Sequence, residues 1–93
     1  MTYKVAVTRR ASRDAARLDA HLRARNPRAA DKLSDQIAQA ATSLEESPLR
    51  GRAVGATIRE INIPFGRSAY IVRYRFKGRH VTITRIWHGL EQR

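Results

Sequence analysis

Between Ala69 and Phe76 the side chains alternate. Tyr70, Val72, Tyr74 and Phe76 fall on one side of an extended chain, and Ile71, Arg73 and Arg75 fall on the other. Successive side chains of a strand point to opposite faces of its sheet. Arginine in mid-strand is costly to bury, so its face must be open. This stretch therefore commits the chain to a sheet covered on one face and solvated on the other. The rest of the sequence has to supply the cover.

The neighbouring segments read as further strands. "TIREINI" (57–63) alternates and is ended by Pro64, after which "PFGRS" turns the chain. "KGR" (77–79) is a tight connection containing Gly78, so "HVTITRIWH" (80–88) should pair antiparallel. Simple alternation puts Val81, Ile83, Arg85 and Trp87 on one face of that strand, and Thr82, Thr84, Ile86 and His88 on the other. "TYKVAVT" (2–8) is a fourth strand, and Thr8 can cap the helix that follows. From Arg9 to Arg25 a stripe of Ala11, Ala15, Leu18 and Leu22 recurs at spacings of three and four, with Asp14, Asp19 and the arginines on the other faces. Asn26-Pro27 reads as an N-cap and first helical residue. A second helix carries Ala30, Leu33, Ile37, Ala40 or Ala41, and Leu44, and stops before Pro48. "SPLRGRAVGA" (47–56) is a loop. The order is β-α-α-β-β-β. We expect one α+β domain over residues 1–93, a small antiparallel sheet with a two-helix hairpin packed on one face.

A domain of 93 residues buries roughly 60–65 % of its unfolded surface, so its stability is modest and a bound partner adds to it. Charge narrows the kind of partner. The chain holds 19 basic and 8 acidic residues, a net +11. Residues 1–49 carry 9 basic and 6 acidic side chains, a surplus of +3, and residues 50–93 carry 10 and 2, a surplus of +8. Such a field attracts nucleic acid or an acidic protein. There is no cysteine, which excludes disulfides and thiolate metal sites and points to a reducing cytoplasm. No apolar run approaches the roughly 20 residues of a membrane span, and no signal peptide is expected.

The chemistry-bearing residues are few. "GRAVG" lacks the spacing and the lysine of a phosphate-binding loop. His21, His80 and His88 lie on different elements, without metal-ligand spacing, so no metal or other cofactor is expected. Tyr70, Tyr74 and Phe76 share parity with Val72 and belong to the core rather than to a base-stacking platform. Arg73 and Arg75, next to Arg59 and Arg85, would make a basic patch able to hold phosphates or stabilise a phosphoryl transition state; the alternative is a solvated face with a salt bridge from Arg59 or Arg73 to Glu60. Glu60 and His88 are the one plausible acid–base pair near that sheet.

The order of elements, together with "YKVAVTRRASRD", "NPRAADKLSDQI", "SPLRGR", "IREINIPFG", "YIVRYR" and "VTITRIWHG", resembles the RelE/ParE superfamily of bacterial toxins from type II toxin–antitoxin systems. The resemblance implies a helical hairpin on an antiparallel sheet, and a cognate acidic antitoxin that wraps the toxin. Members resembling RelE cut mRNA on the ribosome, and those resembling ParE poison DNA gyrase. Ile71 follows Tyr70 where the ribonuclease branch usually has arginine, and "WHGLEQR" has no tyrosine. Both features look more like the ParE branch, a toxin with no chemistry of its own. The target-binding candidates are then Arg50, Arg52, Arg59, Arg73, Arg75, Arg85 and His88. The alternatives are a metal-free, ribosome-dependent mRNA endoribonuclease, with Glu60, Arg73, Arg85 and His88 as catalytic candidates, and a degenerate, non-toxic member.

Overall fold

A computed structural model describes residues 2–91 of the chain. Strand β1 (Lys4–Val7) leads into helix α1 (Arg9–Arg23) through Thr8, whose backbone is extended and whose hydroxyl accepts the Ala11 N–H at 3.1 Å. Helix α2 (Pro27–Ser43) starts the same way. Asn26 Oδ1 accepts the Ala29 N–H at 3.1 Å, and Pro27 takes a position where no N–H is needed. Leu18, Leu33, Ala40 and Leu44 point from this helical hairpin into the core. Neither helix is long and apolar enough to cross a membrane.

The remaining strands are β2 (Arg52–Ala53), β3 (Ile58–Phe65), β4 (Ser68–Lys77) and β5 (His80–His88), in the spatial order β1-β5-β4-β3-β2. Two-residue hairpins join β3 to β4 and β4 to β5. Each starts with a glycine at positive φ, Gly66 at 60° and Gly78 at 58°, as a first turn position of the II′ kind requires. The sheet is not purely antiparallel. β1 pairs with β5 in parallel, from Lys4 opposite His80 to Val7 opposite Ile83. Hairpins dictate direction only for the strands they join, and β1 reaches the sheet by way of the helices. The 47–56 segment also holds the short strand β2, antiparallel to β3.

Two strand expectations change. Pro64 does not end β3, which runs on to Phe65. Phe65 and Ser68 flank a two-residue loop and form a hydrogen-bonded pair, so the next pair, Pro64 and Ala69, is non-bonded and the missing N–H faces away from β4. The simple alternation of β5 fails at a bulge. Arg73 stands opposite Arg85 but Tyr74 stands opposite Ile83, which leaves Thr84 as the extra residue. The core face of β5 is therefore Val81, Ile83, Ile86 and His88, and Arg85 and Trp87 lie on the open face with Arg73 and Ile71. Tyr70, Val72 and Tyr74 are buried against the helices with Ile61, Ile63, Val81, Ile83 and Ile86.

Candidate functional site

Of the four arginines expected in the patch, Arg73, Arg75 and Arg85 share the open face, Arg85 by way of the bulge, and internal partners hold two of the three. Arg73 sends Nε and Nη2 to Glu60 Oε2, at 2.9 and 2.7 Å, and Arg52 approaches Glu60 Oε1 at 3.4 Å. Glu60 itself is buried. Arg85 donates Nε to Asp14 Oδ2 at 2.8 Å. The Arg73 and Arg85 guanidiniums also lie over the Trp87 ring, at 4.9 and 4.7 Å from its centroid. This stacking leaves Trp87 only 4 % exposed although it lies on the open face. Arg75, at the far end of that face, is exposed.

Arg59 is not part of this patch. Its pairing with Tyr74 puts it on the helix side, where Nη1 donates to the carbonyls of Leu49 at 3.1 Å and Gly51 at 2.7 Å. It thus pins the 47–56 loop. Tyr74 holds the same loop from the core, donating to the Pro48 carbonyl at 2.6 Å and accepting the Gly51 N–H at 3.0 Å. Arg50 lies in the loop and donates to Ser43 Oγ at 2.6 Å.

Glu60 and His88 do not come together. Glu60 faces Arg73 on the open side, while His88 stands opposite Tyr70 on the helix side. The sheet lies between them. His88 closes β5, as expected from the sequence. Its Nδ1 accepts the Leu90 N–H at 3.2 Å, which in the neutral ring leaves the proton on Nε2, 2.9 Å from Ser68 Oγ. The ring packs edge-on against Tyr70, which packs edge-on against Phe65.

His88 lines an open groove of about 620 Å³ with Arg17, His21, Leu22, Arg25, Phe65, Tyr70 and Glu91. The chain end shapes this groove. The Glu91 carboxylate accepts from Arg17 and, at 2.7 Å, from the His88 N–H. Burial pushes Glu91 up, but those two donors and the Arg17 charge outweigh it, and the carboxyl sits below its usual range. Burial holds the Tyr70 phenol above its ordinary value, with Glu91 adding to the rise and Arg25 opposing it.

Asp14 was missed. It is buried rather than on an outer face, and it accepts the Ile86 N–H at 3.0 Å as well as Arg85. The signal was present in the sequence. Asp14 lies three residues after Ala11 and four before Leu18, on the apolar stripe itself.

Comparison with known proteins is consistent with this fold. The family model described as the ParE toxin of the type II toxin–antitoxin system parDE matches residues 5–93. Toxin RelE1 of Caulobacter vibrioides is 57 % identical over 93 residues, covering 100 % of both chains. Toxin RelE3 of the same organism is 38 % identical over 84 residues, 90 % of this chain and 91 % of that one. Among solved structures, one titled as the chromosomal ParDE TA system from P. aeruginosa superposes with a TM-score of 0.75 at 21 % identity, over 94 % of this chain and 96 % of that one.

Proposed function

We infer that this chain, which belongs to the ParE toxin family of type II toxin–antitoxin systems, arrests growth by binding its target rather than by cutting it. The target on this reading is DNA gyrase, and a cognate acidic antitoxin neutralises the toxin. The observation that carries the reading is the sheet between Glu60 and His88. General acid–base cleavage needs both groups within hydrogen-bond reach of one substrate. Arg73 and Arg85 are held by Glu60, Asp14 and Trp87 instead of aiming at a common phosphate. The groove at the chain end suits docking better. It offers Phe65, Tyr70 and His88 as rings, with Arg25 and His21 at its rim.

Purified toxin incubated with gyrase, ATP and relaxed plasmid is expected to block supercoiling and to accumulate cleaved plasmid. Normal supercoiling at excess toxin overturns the gyrase assignment. The relatives' names, Toxin RelE1 and Toxin RelE3, favour a second reading, a ribosome-dependent mRNA endoribonuclease using Arg73, Arg85 and His88 on a substrate-remodelled site. Intact transcripts in cells arrested by the toxin overturn that one. Expression without any growth defect would leave a non-toxic binding module.

A further inference from the structure

The open face of the sheet carries a second basic group, at the end formed by the β4–β5 turn. Lys4, His80 and Lys77 lie side by side on β1, β5 and β4. Lys4 stands opposite His80 in the parallel ladder, and His80 stands opposite Lys77 in the antiparallel one. Arg75 lies two residues before Lys77, on the same face, opposite Thr82. All four basic residues are exposed. Strands about 4.8 Å apart, rising about 3.3 Å per residue, put them in a patch of about 10 by 7 Å. From Arg75 the next row runs through Thr82 to Ala6, so the floor of the patch is a hydroxyl and a methyl group.

These cations differ from the others on the face. Arg73 and Arg52 meet Glu60, and Arg85 meets Asp14. Lys4, Arg75 and Lys77 have no carboxylate partner among the described residues. Like charges set close together on one face without a counter-charge destabilise a sheet, so nothing in the packing accounts for the row. An anion laid across it removes the repulsion. The surroundings select the kind of anion. Single strands are held by bases stacked on aromatic rings. Here Trp87 is only 4 % exposed, under Arg73 and Arg85, and Tyr70, Tyr74 and Phe76 lie on the helix side. What remains is lysine, arginine and the Thr82 hydroxyl on a shallow surface, and these are donors that meet a phosphate backbone. A double helix presents such phosphates at about one charge per 1.7 Å of its axis.

We propose that the Lys4–His80–Lys77 row, with Arg75 and Thr82, grips the phosphate backbone of duplex DNA without reading its sequence. The proposal deepens the gyrase reading above and rests on it for the place where DNA is met: a toxin seated on gyrase holds, with this end of its sheet, the duplex on which the enzyme acts.

The probe is a fluorescent duplex of about 20 base pairs, titrated with full-length protein and followed by anisotropy at several salt concentrations. Three phosphate contacts give a log–log salt slope of about −3 or steeper. Lys4→Gln combined with Lys77→Gln is expected to flatten that slope by about 2 and to weaken binding about tenfold or more near 100 mM salt, equally for duplexes of different sequence. Arg28→Gln combined with Arg67→Gln removes the same charge from the exposed start of α2 and from the β3–β4 turn, and should change affinity less than about threefold. Equal losses in the two double variants overturn the proposal, since they mean a diffuse field rather than a site. So does a single strand of the same length bound as tightly as the duplex, or a polyglutamate peptide of equal charge bound more tightly. A dispersed amide NMR spectrum checks that the variants fold. If the double variant does not, Lys4→Gln and Lys77→Gln decide singly, each taking about 1 from the slope. The duplex titration contains no gyrase. Blocked supercoiling without patch-dependent DNA binding overturns this proposal alone, and patch-dependent binding with gyrase unaffected overturns the gyrase reading and upholds the duplex contact.

Discussion

Asp14 joins α1 to the part of β5 that β1 leaves uncovered. Burial pushes its carboxyl up, but the Arg85 hydrogen bond, the Ile86 N–H and the Arg85 and Arg17 charges hold it below its ordinary 3.8. A depressed folded value gives stability that is present above 3.8 and lost as pH falls through the folded value. Asp14→Ala is expected to lower the unfolding free energy by about 2–4 kcal/mol near neutral pH in urea melts. That difference should shrink steadily in melts below the ordinary carboxyl range. Asp14→Asn, which keeps an acceptor for Ile86, should cost less. Tyr74→Phe orphans the Gly51 N–H and the Pro48 carbonyl and is expected to cost about 1–3 kcal/mol by the same measurement. Tyr74's burial was legible from parity alone. Its hydroxyl partners were not, because they lie 23 and 26 residues away.

The strands show where a regular pattern misleads. Trp87 is apolar and two residues from Arg85, so it extends a false alternation, while the real core spacing runs Val81, Ile83, Ile86, His88. The three-residue step from Ile83 to Ile86 was the mark of a bulge. Deleting Thr84 removes the extra residue and leaves Ile83, Arg85 and Ile86 on alternating faces. The shortened protein is expected to keep a dispersed amide NMR spectrum. Deleting Thr82 instead turns Val81 onto the open face and should give an unfolded or insoluble chain. Both helices and their caps were legible, since Thr8, Asn26 and Pro27 act through bonds no more than three residues long. The opposed faces of Glu60 and His88 were not, because they depend on the Thr84 bulge.

At the scale of the molecule, charge sets how partners arrive. With +11 distributed over 93 residues, association with an acidic antitoxin is expected to slow about tenfold between about 50 and 500 mM salt in stopped-flow mixing, and dissociation should change far less. A salt-independent association rate would mean that apolar contact governs encounter. The basic surplus was visible in the sequence. Its pairing with Asp14, Glu60 and Trp87 needed the folded register.

The place of β5 also governs when the fold can close. It is the last of the described strands in chain order, yet it lies inside the sheet with β1 on one flank and β4 on the other. The first strand therefore has no neighbour until residues 80–83 have been made, and the Lys4–His80 pairing spans 76 residues of chain. A nascent or prematurely terminated product cannot assemble the core. A chain stopped after Arg79 is expected to lack a cooperative thermal transition by circular dichroism and to be cleared by proteases. Interrupted translation is therefore expected to yield fragments in which the helices have no finished sheet to pack on.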